Sequence, residues 1–190
     1  MFCLSPISTR DQFGILLNQL GLVNEAVEIG THRGEFADIF LARWYGYKLH
    51  CVDPWEDYPQ ATSLWGGGTR KDDYKQAQAV ARKHRNRMIL HRTTSLLSAK
   101  EITNDLDFVY IDGNHTYEDV FQDLSVWWPK LKTNGILAGH DWLCPGEKEN
   151  GWAQYIQPAF EQFVKNTNSV NIYLITEENN LPWSFYMFKS

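Results

Sequence analysis

The stretch VEIGTHRGEF at residues 27–36, together with CVD at residues 51–53, decides the fold of this chain. In the first stretch an apolar run ends in an acid and a glycine, and a second glycine, Gly34, opens an amphipathic segment. The second stretch ends in another acid, Asp53, nineteen residues after Gly34. This order predicts a strand, a tight turn, a helix and a neighbouring strand that ends in a carboxylate. Such a unit holds a nucleoside at the carboxyl ends of parallel strands.

The alternation of apolar strands and amphipathic helices continues along the chain. Strands are predicted at 25–29, 48–52, 87–91, 107–111, 135–139, 170–176 and 183–188, and helices at 9–20, 34–44, 71–83, from 95, at 117–128 and at 152–164. Residues 177–182 are too few for a parallel crossover, so the last two strands must pair antiparallel. The sequence therefore predicts an α/β fold, a Rossmann-like three-layer sandwich whose seven-stranded, mostly parallel sheet ends in an antiparallel hairpin.

Composition limits the function. A length of 190 residues predicts a single domain over 1–190. A net charge of −5 argues against binding nucleic acid through a basic surface. The three cysteines, Cys3, Cys51 and Cys144, indicate a reducing compartment, with Cys51 as a small buried hydrophobe. No signal peptide and no apolar run of about 20 residues is found, so we expect a cytoplasmic protein that does not bind membranes.

The glycine loop favours a nucleoside that carries no phosphate. Nicotinamide dinucleotides use G-x-G-x-x-G, in which the middle glycine lets the backbone approach the pyrophosphate. His32 occupies that middle position here and disfavours a pyrophosphate. The phosphate-binding pattern G-x-x-x-x-G-K-[ST] is also absent.

At this point the chain resembles the class I S-adenosylmethionine-dependent methyltransferases over nearly its whole length. The stretch EIGTHRG at 28–34 is similar to the first motif of that family, and Asp53 stands where the family places the acid that holds the ribose hydroxyls. The stretch IDGNHTYE at 111–118, with GHD at 139–141, resembles a subgroup, the small metal-dependent O-methyltransferases of sugars and macrolides. The resemblance implies S-adenosylmethionine as cofactor and O-methylation of a small molecule.

The cofactor would lie along the strand ends. The expected cofactor-binding residues are Glu28, Gly30, Thr31, Gly34, Asp53, Ser95 and Asp112. Glu28 either organises the loop or contacts the amino acid part of the cofactor, and Asp112 faces the sulfonium. Ser95 either contacts the adenine or caps a helix. The two glycines also suit a plain turn, and Asp53 also suits a helix cap.

The acceptor side depends on two acids and two histidines that follow adjacent strands. Asp112, His115 and His140 are the expected catalytic residues, and Asp112, His140 and Asp141 are the expected ligands of a divalent metal. Metal-dependent relatives have a third acid where this chain has His140. That departure weakens a Mg²⁺ site, leaves a softer metal open, and equally leaves a metal-free mechanism with His115 or His140 as base. Structural roles for both histidines stay open.

Several other side chains have two interpretations. Loop aromatics at the same edge suit a sugar or flat acceptor or else pack as a lid: Trp55, Tyr58, Trp65, Trp142 and Trp152. Trp127 and Trp128 suit the core or a subunit contact. Arg33 and Arg70 are expected to be solvated rather than to hold an acidic acceptor. Asp119 is expected to face solvent, and Asp123 to cap a helix or pair locally.

We therefore expect a methyltransferase that acts on a small-molecule acceptor. Two alternatives stay open: a metal-dependent hydroxylase or sugar-modifying enzyme on the same scaffold, and a non-catalytic nucleoside-binding module. The sequence does not exclude a homo-oligomer.

Overall fold

The computed structural model describes residues 2–56, 69–102, 105–142, 153–167, 171–176 and 183–190. The strands are β1 (Phe2–Leu4), β2 (Glu25–Ile29), β3 (Lys48–Val52), β4 (Met88–His91), β5 (Leu106–Ile111), β6 (Leu131–Gly139), β7 (Ile172–Ile175) and β8 (Ser184–Phe188). The α-helices are α1 (Phe13–Gln19), α2 (Glu35–Arg43), α3 (Arg70–His84), α4 (Ser95–Glu101), α5 (Tyr117–Trp127) and α6 (Ala153–Lys165). A 3-10 turn, Arg10–Gln12, precedes α1.

All described strands belong to one sheet with the order β1-β7-β8-β6-β5-β2-β3-β4. Neighbouring strands are parallel except at β8, which runs antiparallel to both β6 and β7. This confirms the seven predicted strands and the closing hairpin. The sheet also has an eighth strand, β1, which pairs parallel with β7. Three residues are too few to show a strand period, and their partner lies at the other end of the chain, so sequence patterning could not predict β1.

Helices cover both faces of the sheet, as predicted. One apolar core joins α1 and α2 to one face through side chains such as Phe13, Phe36 and Phe40. The other core joins α4, α5 and α6 to the opposite face, and it contains the fully buried Trp127. The prediction that Trp127 belongs to the core is confirmed, and Cys51 is buried as expected. None of the described helices is long and apolar enough to span a membrane.

Strand register places the candidate site. Ile29 of β2 is paired with Ile111 of β5, and Ile111 with Gly139 of β6. The three strands therefore end level with one another, and the residues that follow them meet at one edge of the sheet. The hydrogen bonding between β2 and β5 extends one residue past the end of β5, where the Asp112 amide donates to the Ile29 carbonyl at 2.8 Å.

Candidate functional site

The loop after β2 needs glycine at two positions. Gly30 has φ +89°, and a Cβ there would lie 2.0 Å from the carbonyl oxygen of Asp112. Any side chain at this position would push the loop away from the end of β5. Gly34 has φ +86° and is the N-cap of α2, so it turns the chain into the helix. The predicted strand, tight turn and helix are all present, while the contact of these glycines with a cofactor stays a prediction.

Asp53 is buried at the end of β3 and faces the glycine loop. Its Oδ2 accepts a hydrogen bond from the His32 amide at 2.9 Å, and its Oδ1 accepts one from the Trp55 amide at 2.7 Å. Burial raises the pKa of Asp53, although these two amide bonds partly offset the effect. The bond to Trp55 closes a local turn rather than capping a helix. The carboxylate thus links the tip of β3 to the glycine loop.

Glu28 is the most heavily desolvated acid of the loop, since only 2% of its surface is exposed. Burial raises its pKa to about 8, and the neighbouring Thr31 hydroxyl and Cys51 thiol lower it only in part. Among the described residues, neither Glu28 Oε2 nor Thr31 Oγ1 has a hydrogen-bond partner of good geometry. Glu28 and Thr31 therefore form a pair of buried polar side chains beside the glycine loop, and their contact with a cofactor stays a prediction.

Arg10 belongs to the site although no sequence motif indicated it. Its Nη1 lies 3.2 Å from Asp112 Oδ2, and its guanidinium carbon lies 5.9 Å from the centre of the Phe36 ring. It also acts electrostatically on Glu28. The turn that carries Arg10 is fixed because Gln12 Oε1 accepts hydrogen bonds from the amides just before it, of Ser8 and Thr9. Arg10 thus brings a cation between the two acids at the ends of β2 and β5.

Asp112, His115, His140 and Asp141 converge, as the sequence predicted. His115 Nε2 lies 2.9 Å and His140 Nδ1 lies 3.2 Å from Asp141 Oδ2. Both of these nitrogens lie 3.9 Å from Asp112 Oδ1. One carboxylate therefore orients two imidazoles, and the second carboxylate lies beside both.

The electrostatics of this acid–histidine cluster favour a charged Asp141. Burial opposes its ionisation, but hydrogen bonds from His115 and His140 hold the pKa of Asp141 well below its usual range. Burial alone would lower the pKa of His140, yet its hydrogen bond to Asp141 and the charge of Asp112 raise it overall. Asp141 also has φ +56°, an unfavourable conformation for a side-chain-bearing residue that points to a functional constraint.

A metal ion fits part of the acid–histidine cluster. Asp112, His115 and Asp141 each offer one ligand atom, and the three atoms lie within 4.8 Å of one another. The grouping contains His115 where the sequence predicted His140. Two carboxylates with an imidazole suit ions softer than Mg²⁺.

Ser95 lies at the start of α4 and its hydroxyl has structural partners. It donates to Asp123 Oδ1 and accepts from Trp127 Nε1 at 2.8 Å. The N-cap of α4 is Thr94, so the alternative of Ser95 as N-cap is wrong. Burial raises the pKa of Asp123 to about 7, which the Ser95 hydroxyl lowers in part. Contact of Ser95 with adenine stays a prediction.

The solvated role expected for Arg33 and Arg70 is wrong. Arg33 Nε lies 2.7 Å from Asp73 Oδ1, and Arg70 Nη1 lies 3.4 Å from Asp73 Oδ2. His32 Nε2 approaches the same Oδ2 at 3.4 Å. Asp73 has only 2% of its surface exposed, so it is a buried anchor that ties α3 to the glycine loop. The sequence contains no spacing signal for this contact, because α3 follows a long connection.

Two of the five loop aromatics are buried, and three lie outside the described residues. The Trp55 indole donates to the His32 carbonyl at 2.6 Å and packs on Tyr74. Trp142 packs between Phe160 and Phe185. Packing over the core is therefore the correct interpretation for Trp55 and Trp142. Tyr58, Trp65 and Trp152 lie outside the described part of the chain.

The two acids of α5 have different surroundings. Asp119 Oδ2 accepts hydrogen bonds from Asn114 Nδ2 and Thr116 Oγ1, so it pairs locally at the start of the helix, where the sequence predicted a solvent-facing side chain. Asp123 is buried and pairs with Ser95 across the helix interface, which a local pattern did not predict.

Comparison with known proteins identifies the family. Residues 27–142, more than half of the chain, match the methyltransferase domain family model. The chain therefore belongs to the methyltransferase domain family. This matched range includes both the glycine loop and the acid–histidine cluster.

Individual relatives are distant. An uncharacterized protein of Sinorhizobium fredii, y4gI, is 27% identical over 134 residues, which are 68% of this chain and 14% of that protein. The chain thus spans about one seventh of the curated relative it matches. The O-methyltransferase TomG of Streptomyces achromogenes, solved with SAM, has a TM-score of 0.70 at 12% identity over 98% of this chain and 82% of that one. A Bacillus cereus O-methyltransferase, solved with SAH, has a TM-score of 0.67 at 13% identity over 98% and 83%. Both structures share the fold.

Proposed function

We propose that this methyltransferase uses S-adenosylmethionine to methylate a hydroxyl group of a small molecule. The single observation that carries the proposal is the acid–histidine cluster, Asp112, His115, His140 and Asp141, next to a glycine loop beside which the polar groups of Glu28 and Thr31 are buried. The first feature suits removal of a hydroxyl proton, and the second suits a polar nucleoside ligand. The two O-methyltransferases of the same fold support this assignment.

The donor would lie across the tips of β2, β3 and β5. Asp53 would accept hydrogen bonds from the ribose hydroxyls with the lone pairs that the loop amides leave, as the family resemblance implies. The amino acid end of the donor carries an ammonium and a carboxylate. Glu28 is the nearby carboxyl group that would accept a hydrogen bond from the ammonium, and Arg10 is the nearby cation for the carboxylate. Asp112 then faces the sulfonium, as the sequence predicted.

His115 would act as the general base. Its Nε2 lies 2.9 Å from Asp141 Oδ2, so the carboxylate orients the imidazole at the edge of the cavity beside the cluster. His140 is a weaker candidate because its raised pKa favours the protonated form, which cannot accept a proton. We therefore assign His140 the role of a positively charged partner that keeps Asp141 ionised.

A metal-assisted reaction is a second candidate, and the geometry of Asp112, His115 and Asp141 favours it. A divalent ion there would polarise the acceptor oxygen and lower the pKa of its hydroxyl. An imidazole that binds the ion cannot also serve as the general base, so His115 would have different roles in the two mechanisms and an experiment can distinguish them. Treatment with a chelator abolishes turnover only in the metal-assisted case.

A small cavity with mostly apolar walls, with room for about one water molecule, lies beside the acid–histidine cluster. Ile111, Val120, Leu124, Ile156 and Phe185 line it, and His115 and His140 lie at its polar side. Such walls favour a small acceptor with an apolar part beside its hydroxyl. We also propose a cytoplasmic setting, since Cys3 and Cys51 are free thiols.

Calorimetry followed by an activity assay tests the proposal. We expect S-adenosylmethionine and S-adenosylhomocysteine both to bind, and release of S-adenosylhomocysteine to depend on a hydroxyl-bearing acceptor. A Kd of 1 mM corresponds to a binding free energy of only about −4 kcal/mol. If neither compound binds at concentrations up to about 1 mM, the proposal is contradicted. Binding without turnover over a broad acceptor panel would instead favour the non-catalytic nucleoside-binding module.

A further inference from the structure

Arg10 reaches the candidate site from a segment, residues 5–12, that follows β1. β1 is parallel to β7, and both β6 and β7 run antiparallel to β8, so β1 ends at the same edge of the sheet as β2, β5 and β6. The segment therefore lies at the edge where the donor is proposed to bind. The amides of Ser8 and Thr9 donate to Gln12 within the segment. These bonds shape the backbone, while the direction of the Arg10 side chain depends on its contacts across the fold.

An aromatic stack lies beside the guanidinium of Arg10. The guanidinium carbon is 5.9 Å from the centre of the Phe36 ring, a distance at which the face of an aromatic ring attracts a cation. The Phe36 ring is nearly parallel to that of Tyr110, with centres 4.2 Å apart and an angle of 14° between the planes. Phe36 also stacks on Phe40 at 5.7 Å. Two neighbouring rings thus fix the orientation of Phe36, which in turn limits where the guanidinium can lie.

The hydroxyl of Tyr110 provides a further contact from inside the fold. Tyr110 is fully buried in β5, and Arg10 and Ser184 are polar side chains that act on its hydroxyl. Burial raises the pKa of Tyr110 well above its usual range, and the charge of Arg10 opposes that rise. Alternate residues of a strand point to the same side, which explains why Tyr110 and Asp112, two positions apart, both face Arg10.

We propose that Phe36 and Tyr110 are positioning residues, which hold the Arg10 guanidinium where the carboxylate of S-adenosylmethionine would bind. This inference rests on the proposed function, in which Arg10 is the cation for that carboxylate. An arginine that is already oriented loses less conformational freedom on binding, so the ring and the hydroxyl strengthen the contact through Arg10. Their effect is confined to ligands that carry the amino acid end of the donor.

Tyr110→Phe is the first test, because it retains the stacked ring and removes only the hydroxyl. We expect the Kd for S-adenosylmethionine, measured by calorimetry, to rise about 2–10-fold, the effect of one lost hydrogen bond. The Kd for methylthioadenosine, which lacks the amino acid end, should not change. Tyr173→Phe is the matched control, since Tyr173 packs against the same apolar core and stacks on Tyr186. A Kd for S-adenosylmethionine that is the same in Tyr110→Phe as in the native protein overturns the role of Tyr110.

Phe36→Leu tests the aromatic face, because leucine keeps an apolar side chain at this position. Loss of the contact between the ring and the cation should raise the Kd for S-adenosylmethionine about 2–5-fold and leave that for methylthioadenosine unchanged. Phe188→Leu is the control, since Phe188 is a partly buried ring that packs on Tyr173. Equal losses for both ligands in Phe36→Leu would show that the ring supports the whole donor site and not Arg10.

A double-mutant cycle with Arg10 separates positioning from general support of the fold. In Arg10→Gln the guanidinium is gone, so adding Tyr110→Phe or Phe36→Leu should cause no further loss of affinity for S-adenosylmethionine. A further loss as large as in the native background would mean that these residues act by another route, and it overturns the proposal.

The outcomes distinguish this inference from the proposed function. If the unsubstituted protein does not bind S-adenosylmethionine, both are contradicted. If it binds S-adenosylmethionine, and either Arg10→Gln or the pair Tyr110→Phe and Phe36→Leu leaves the affinity unchanged, this inference alone is overturned. A measurement on the unsubstituted protein covers variants that fail to fold: nuclear Overhauser contacts are expected between the side chain of Arg10 and the ring of Phe36, and their absence refutes the placement.

Discussion

His115 Nε2 and Asp141 Oδ2 lie 2.9 Å apart, although one residue follows β5 and the other follows β6. The same Asp141 oxygen is 3.2 Å from His140 Nδ1, so its carboxylate is the common partner of both imidazoles. Asp141 adopts a positive φ to reach this position. A residue with positive φ that contacts two imidazoles next to a small cavity is consistent with the proton transfer that we propose.

Replacing His115 tests whether it is the base. His115→Gln is expected to lower kcat by about 10²–10⁴-fold, the usual contribution of a general base, while the Kd for S-adenosylmethionine changes little. Assays of S-adenosylhomocysteine release measure kcat, and calorimetry measures the Kd for S-adenosylmethionine.

His140→Gln is the matched control for His115, because both imidazoles contact the same oxygen of Asp141. We expect a smaller fall in kcat than for His115→Gln. A loss confined to His140→Gln would reverse the assignment of the two histidines, and full activity in both variants would exclude proton transfer by either.

Asp53→Asn tests the ribose contact. Asp53 accepts two backbone hydrogen bonds, and an amide NH₂ group in place of one oxygen would face an N–H donor. We expect a loss of roughly 10-fold or more in affinity for both S-adenosylmethionine and S-adenosylhomocysteine, since hydrogen bonds to charged groups contribute about 1.5–3 kcal/mol. Calorimetry measures both ligands, and Asp72→Asn on the exposed side of α3 is the control. Unchanged affinity for both ligands contradicts the contact.

Arg10→Gln tests the amino acid end of the donor. If Arg10 binds the donor carboxylate, the substitution should weaken S-adenosylmethionine binding by roughly 10-fold, the value of one charge-assisted contact. Methylthioadenosine lacks the carboxylate, so its affinity should stay nearly the same. Arg43→Gln, at an exposed ion pair with Asp11, serves as the control. An equal loss for both ligands would mean that Arg10 only supports the fold through Asp112.

The sequence predicted the sheet because its signals are local. Apolar runs, the two positive-φ glycines and the short final connection each determine structure within a few residues. The same is true of the acid–histidine cluster, since Asp112 and His140 directly follow adjacent parallel strands whose carboxyl ends must meet. Neither conclusion required knowledge of distant contacts.

Most contacts that the sequence did not predict join residues far apart in the chain, with the Arg70–Asp73 ion pair as a local exception. Arg10 and Asp112 are 102 positions apart, and Arg33 and Asp73 are 40 apart. Nothing in the spacing of such residues shows that helix packing will bring them together. Ser95 illustrates the same limit, because its partners Asp123 and Trp127 lie on another helix.

The Glu28→Gln variant tests whether Glu28 is protonated in the folded protein, because its free energy of unfolding should then depend on pH differently from that of the native protein. The folded carboxyl has a pKa of about 8 against 4.5 for an ordinary one, so in this window the folded state holds a proton that the unfolded chain releases. The free energy of unfolding of the native protein therefore falls as the pH rises from about 4.5 to 8. The glutamine variant lacks this loss, so its stability relative to the native protein should increase between pH 5 and pH 8.

Denaturant unfolding at pH 5, 6.5 and 8 measures this difference. Asp123 contributes a slope of the same sign, but it is present in both proteins and cancels. Glu118→Gln, an exposed acid in the first turn of α5, is the control. Parallel stability curves for the native protein and the Glu28 variant would show that Glu28 is ionised in the fold.

Ser95→Ala separates a structural role from contact with adenine. Removal of the hydroxyl leaves the Trp127 Nε1–H and the Asp123 carboxyl without their partner, so the free energy of unfolding should fall by about 1–3 kcal/mol. It also removes the group that lowers the pKa of Asp123, which should rise above about 7. Ser125→Ala is the matched control, because that hydroxyl is exposed and donates only to a helix carbonyl. Unfolding curves and donor titrations are compared on the same samples. A loss of donor affinity without a loss of stability would place Ser95 against the adenine, whereas a loss of stability with unchanged donor affinity assigns its hydroxyl to the α4–α5 interface.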